Sequence, residues 1–177
     1  MDKAEEEVFL RYLYFCSNPL RNDEQITAEY EMLKSHPRVT GLAFYRDDVL
    51  MIGIDEIILT ENGSKYLIGE FIIFLIRSRI ENYWEVDFRF WNVSGCRMNE
   101  QTIYIHPHIL KTDPDGYLDC PNGKICISRG QFNVYQYLRR GEIHNAVPRL
   151  IEILETYPTG TAYHKASNWP LWEEKDA

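Results

Sequence analysis

Apolar positions fall first at helical spacing and then at every second residue, and that change of period divides the chain into its elements. Over residues 3–17, Val8, Leu10, Tyr12, Leu13 and Phe15 recur among Glu and Arg as on an amphipathic helix. Asn18-Pro19 ends it, because proline disfavours helical geometry in the residue before it. Cys16 on this helix reads as a core residue. A second helix is predicted over residues 23–35, with Ile26, Tyr30 and Leu33 on one side; His36-Pro37 closes it, and His36 reads as a helix-end residue. From Val39 the period is two. Strands are predicted over 39–45, 49–59, 66–76 and 84–91, the last with Trp84, Val86, Phe88 and Phe90 on one face. Asp47-Asp48 is a turn, Glu61-Asn62-Gly63-Ser64 is a hairpin signal, and Gly69 marks a bulge or a point of close packing. Hairpins in succession predict a four-stranded antiparallel meander with one face covered. Helical spacing returns at Phe132, Val134, Tyr135 and Leu138, closed near Arg140-Gly141. It returns again at Val147, Leu150, Ile151 and Leu154. Pro148 requires that this last helix begin nearby, with Asn145 as its cap. Tyr157-Pro158-Thr159-Gly160 ends it, and the aromatic tail (Tyr163, Trp169, Trp172) reads as packing around a helix.

The order helix, meander, extended corner, helices is that of an α+β fold. No repeat, low-complexity tract or linker divides it. The expectation is one domain over 1–177, with a helical extension at 1–22 and a core at 23–170. At 177 residues, 45% of them apolar and 14% aromatic, such a domain buries a real core. A net charge of −8 speaks against a nucleic-acid footprint, which needs clustered Lys and Arg. The acidic N-terminus lacks the positive region of a signal peptide, and the longest uncharged apolar run is strand-sized, so neither export nor a membrane partner is expected. Four irregularly spaced cysteines do not form a secreted disulfide framework. These features fit a cytoplasmic protein with reduced thiols.

Candidate chemistry concentrates between Ile103 and Arg129. Here an alternating apolar run leads into His106-Pro107-His108, and a turn-rich stretch separates that triplet from Cys120. A second turn then leads to Gly123-Lys124-Ile125-Cys126. In an extended chain His106 and His108 point to the same face. Cys126 sits between Lys124 and Arg129 and shortly before helical sequence, a setting that lowers a thiol pKa and suits a nucleophile. Between Ile125 and Ile127 it also reads as a buried strand cysteine, and the two histidines as satisfied strand-end residues. A third reading joins His106, His108, Cys120 and Cys126 as a tetrahedral zinc set, although common zinc modules space their cysteines more closely. Cys96 reads as an incidental thiol. The glycines match no nucleotide-binding loop.

The His-Pro-x triplet, followed by Gly-x-Ile-Cys and helices, resembles the active-site region of ubiquitin-conjugating (E2) enzymes. The His-Pro-His form is closer to the bacterial E2-like proteins of ubiquitin-like conjugation operons. Tyr66-Leu67-Ile68-Gly69-Glu70-Phe71 is similar to that family's Tyr-x-x-Gly-x-Phe strand, and the resemblance runs roughly from residue 23 to 170. It implies an E2/UBC-like fold in which Cys126 accepts a ubiquitin-like protein as a thioester from an E1-like activating enzyme and passes it to an amine of a protein substrate. It calls for no cofactor and no metal. His106-Pro107-His108 stands where eukaryotic members carry His-Pro-Asn, which makes His106 and His108 candidate catalytic residues, His108 as an oxyanion donor. The residues after the cysteine, Ile127-Ser128-Arg129, differ from the Leu-Gly of bacterial relatives. An insert from Lys111 to Pro121 adds Cys120, a second candidate nucleophile or a resolving thiol. The family also contains non-catalytic members that keep the fold as a protein-binding module, and this is the competing expectation.

Overall fold

A computed structural model describes residues 2–17, 21–80, 83–95, 97–99, 102–111, 123–125, 131–156 and 165–173. Two helices open the chain, α1 (Lys3–Cys16) and α2 (Asp23–Lys34). Each starts in a reciprocal capping box, Asp2 with Glu5 and Asn22 with Gln25, so that two otherwise orphaned amides are satisfied at each end. The meander follows as β1 (Val39–Arg46), β2 (Val49–Glu61), β3 (Ser64–Ile80) and β4 (Tyr83–Asn92). Four short strands continue the sheet: β5 (Arg97–Asn99), β6 (Thr102–His106), β7 (Ile109–Lys111) and β8 (Gly123–Ile125). Two helices, α3 (Gln131–Arg139) and α4 (Ile143–Glu155), and a 3-10 turn (Ala166–Asn168) complete the α+β arrangement.

The predicted elements lie where the periodicity placed them, with strands longer than expected. All adjacent pairs are antiparallel, in the order β1-β2-β3-β4-β8-β7-β6-β5. The β2–β3 turn is the Asn-Gly hairpin the sequence indicates, with φ of 52° at Asn62 and 82° at Gly63. Val86, Phe88 and Phe90 of β4 face the same core as Ile52, Ile54, Ile73 and Leu75; Tyr12, Ile26, Leu33, Val134, Leu138, Val147, Leu150 and Leu154 close that core from the helices. The opposite parity carries a smaller cluster, in which Val49 and Phe74 are buried beside Met51, Ile72, Ile76 and Trp91. The tail lies along the free side of β3, with Leu67 N–H donating to Pro170 O and Trp172 N–H to Lys65 O, both at 2.9 Å.

Two buried charges fasten the helices. The Arg77 guanidinium, on β3, donates to the carbonyls of Tyr14 (2.8 Å), Phe15 and Ser17 (2.9 Å) at the C-terminus of α1, where a positive charge also suits the helix dipole. Glu29 of α2 is fully buried and accepts from Tyr12 Oη–H (3.1 Å) and from the first amides of α4, Ile143 N–H (2.5 Å) and His144 N–H (3.4 Å). This corrects the expected cap of the last helix. α4 begins two residues before Asn145, leaving Pro148 inside it, and its N-cap residue Glu142 supplies no side-chain bond. A carboxylate from a distant helix takes that place.

Candidate functional site

The corner that carries the candidate chemistry is built from short strands. β6 ends at His106, Pro107-His108 makes the turn, and β7 folds back with Tyr104 opposite Leu110 and His106 opposite Ile109. β7 in turn pairs with β8, Ile109 opposite Ile125, Leu110 opposite Lys124 and Lys111 opposite Gly123. Gly123 also faces Phe90, which inserts β8 between the meander and the corner. The pairing therefore brings the residue after His108 opposite the residue before Cys126, although the whole insert intervenes in sequence. Cys126 itself, Cys120, Cys96, Tyr157 and Tyr163 lie outside the described residues, as does the side chain of Trp84.

His106 is completely buried. Its Nε2 lies 2.7 Å from the carbonyl oxygen of Leu154, which can only accept, so Nε2 carries the proton. Nδ1 is then the lone-pair nitrogen and accepts the backbone N–H of His108 at 3.1 Å. Burial, reinforced by neighbouring His108 and opposed by the Leu154 bond, pushes the His106 pKa down to about 3. The imidazole is neutral at any ordinary pH, both nitrogens are engaged, and its ring stands edge-on to Phe71. In this geometry His106 ties the corner to the C-terminal turn of α4. His108 is partly buried, and burial also lowers its pKa. Its ring lies 6.0 Å from that of His106, centroid to centroid. It is a neutral group that can donate one hydrogen bond.

A residue that sequence reading passed over holds the same corner from the other side. Asn92, the last residue of β4, is 1% exposed. Its Nδ2 donates to Ile68 O of β3 (2.7 Å) and to Ile105 O of β6 (2.9 Å), and its Oδ1 accepts from Ser94 N–H (3.0 Å). Ser94 Oγ accepts in turn from Glu70 N–H at 3.1 Å. Gly69 makes room for this knot. Its φ of +123° lies outside the range of ordinary residues, and a Cβ there would stand 2.6 Å from Ser94 Cβ and 2.8 Å from Asn92 Oδ1. The expected bulge and close packing are thus both realised at Gly69, opposite the register shift between Ile57 and Ile58. The sequence signal for Asn92 was a strand-terminal Asn after an apolar alternation, which is indistinguishable from an ordinary turn residue.

The remaining cysteine described, Cys16, is buried on α1, and burial beside Glu29 pushes its thiol up to about 12. Trp169 is buried and Lys65 Nζ sits over the Trp172 ring at 4.8 Å, so these tail aromatics do pack, with Trp172 set along β3 where packing around a helix was expected. Among the described residues, no helix is long and apolar enough to cross a membrane, and no three His, Cys, Asp or Glu side chains group as a metal site. No family model matches the chain, and neither a curated protein nor a solved structure matches it.

Proposed function

We propose that this chain is an E2-like conjugating protein, carrying a ubiquitin-like modifier on Cys126 between an E1-like activating enzyme and an amine of a protein substrate. The observation that supports this reading is the register of β7 against β8. Ile125, the residue before Cys126 in the sequence, lies opposite Ile109, the residue after His108. The segments that lead out of the His-Pro-His corner and into Cys126 in sequence are thus one pair of strands. The helix–meander–corner–helix order agrees with the same reading.

In the first step the Cys126 thiolate attacks the carbonyl carbon of the modifier's thioester on the activating enzyme. The tetrahedral oxyanion collapses and expels the activating enzyme's thiolate, which takes up a proton. In the second step a substrate amine attacks the new thioester, loses its proton and expels the Cys126 thiolate, leaving an amide. Each step passes through an oxyanion that a neutral donor stabilises, and His108 is assigned that role. His106 contributes by accepting the His108 backbone N–H and so orienting the turn.

A short peptide thioester ending in Gly-Gly tests the reading without the native partners. Acyl transfer should fall on Cys126 alone in the folded protein and reverse with added thiol. Cys126→Ser should give no thiol-labile adduct, and His108→Ala should slow discharge to a small amine. Acylation centred on Cys120, or spread over all four cysteines, would sink the assignment of Cys126. A Cys126 that stays unacylated until the protein unfolds would leave the non-catalytic E2-like binding module in its place.

A further inference from the structure

We infer that the outer edge of β1, with the groove that α1 and α2 form beside it, is a docking site for an extended peptide segment carrying an apolar residue between two basic ones. This goes beyond the thioester reading and does not require it. β1 stands first in the strand order and, among the described residues, pairs with β2 alone. An edge strand presents backbone N–H and C=O groups to which a further strand can pair, and folds guard such edges with charges, proline or bulges. β1 is guarded at its ends only. Its register is irregular between Val39 and Gly41 and between Phe44 and Arg46, while residues 41–44 pair regularly with β2 from Gly53 back to Leu50. The sequence from Val39 to Tyr45 holds no proline and no charged residue. A Cβ built at Gly41 meets nothing within 4 Å, so the flank of this stretch is open.

The groove encloses about 380 Å³ between α1, α2 and β1. Val8 of α1, Tyr30 of α2, and Val39 and Leu42 of β1 line it, so a side chain entering from an added strand meets apolar surface. Glu5 and Lys34 line it as well, half-exposed and joined at 2.9 Å. Glu5 first, and Glu31 further, hold the Lys34 pKa above its ordinary range, so two carboxylates bear on one ammonium. Asp2, which accepts the Glu5 N–H, adds a third carboxylate. The rim is therefore acidic, and the chain as a whole carries a net charge of −8. In an extended segment residues i−2, i and i+2 share a face. A central apolar side chain then seats in the groove while the basic ones two places away reach the carboxylates at the rim. A second copy fits less well, since pairing β1 with itself about a two-fold axis would set two acidic grooves against each other.

The test uses the full chain and a fluorescent Lys-Thr-Val-Thr-Lys peptide, with binding followed by anisotropy and mapped by amide hydrogen exchange. The expected result is saturable binding that slows exchange within β1 and weakens as salt is raised. A Glu-Thr-Val-Thr-Glu peptide keeps the backbone donors and reverses the charge, and it should bind about tenfold more weakly. The lysine peptide N-methylated along its backbone keeps the charge and loses the donors, and it should weaken to a similar degree. Gly41→Lys enters open space and sets a like charge at the edge, so it too should cost about tenfold. Exchange in β2 and β3 shows whether that variant keeps the sheet. If it does not, Glu5→Gln combined with Glu31→Gln decides, with an expected loss of about threefold, since Gln serves the capping box as well as Glu. No saturable binding, equal binding of the three peptides, wild-type affinity in the folded variant, or protection confined to other elements overturns the inference. A dimer that forms without peptide and protects β1 assigns the edge to a second copy and overturns it as well.

Discussion

Glu29 is where the loss of one side chain strips partners from three parts of the chain at once. Its side chain is only 1% exposed, its Oε2 is paired with the Arg21 guanidinium, and His144 Nδ1 stands 3.7 Å away. Its Oε1 takes the Tyr12 hydroxyl and the first amides of α4. α4 has neither a side-chain cap of its own nor an acidic residue in its first turn, so this carboxylate supplies both the hydrogen bonds and the charge its N-terminus needs. Glu29→Ala would leave the Arg21 guanidinium without its buried partner, and the Tyr12 hydroxyl and the Ile143 amide without this acceptor. Removing one side of a buried ion pair costs about 3–5 kcal/mol, and the lost cap belongs to the same network, so its cost is not added separately. The expected loss is about 4 kcal/mol, which for a domain of this size lowers the unfolding temperature by roughly 10 °C. Glu29→Gln keeps an acceptor for the helix amides and gives up the charge, so it should lose less, about 1–2 kcal/mol. Urea unfolding of both variants measures the magnitudes, and hydrogen exchange at the first turn of α4 shows where the loss falls. A Glu29→Ala change within about 0.5 kcal/mol of wild type, as for an ordinary surface position, would refute the argument.

Two further outcomes follow from the buried titratable groups. His106 is neutral in the fold with its pKa near 3, against 6.5 when exposed, so between those values the unfolded chain binds a proton that the folded chain does not. Stability from this group is whole above pH 6.5 and falls as the pH drops toward 3, at about 1.4 kcal/mol per unit; urea midpoints should decline between pH 6.5 and 5, and less steeply in His106→Gln. Equal slopes in the two proteins would remove the buried imidazole from the account. Cys16, with its thiol pushed up to about 12, should resist iodoacetamide at pH 8 in the native protein and label only on unfolding. Peptide-resolved labelling at the rate of a free cysteine would contradict its placement.

The parts of this fold that follow from local chemistry were legible in the sequence. The period changes at Val39, the Asn62-Gly63 turn, the Pro-marked helix ends and the bulge at Gly69 all report rules acting within a few residues. What escaped was set by partners far along the chain. Nothing near Ile143 indicates that its cap is Glu29, and an acidic residue in the middle of α2 reads as a solvated face until α4 is packed against it. Asn92 escaped in the same way, because a strand-end Asn says nothing about carbonyls at Ile68 and Ile105. The candidate site was legible as a set of residue types, and its pairing was not: the insert between Lys111 and Gly123 hides in sequence the β7–β8 register that brings Ile109 and Ile125 together.

The two hydrogen bonds of His106 separate the two sharp readings of the corner. A neutral imidazole has one lone pair, and in His106 it accepts the His108 amide, while the other nitrogen gives its proton to Leu154 O. A zinc ion bound through His106 would have to break one of these bonds at a fully buried position and free the turn from α4 or from itself. The proposed set then falls from four ligands to His108, Cys120 and Cys126, one short of a structural zinc site. Thioester chemistry makes no such demand. It leaves the His106 bonds intact and asks only for a neutral donor at His108, so the contacts that weaken the metal reading are compatible with the proposed thioester reading.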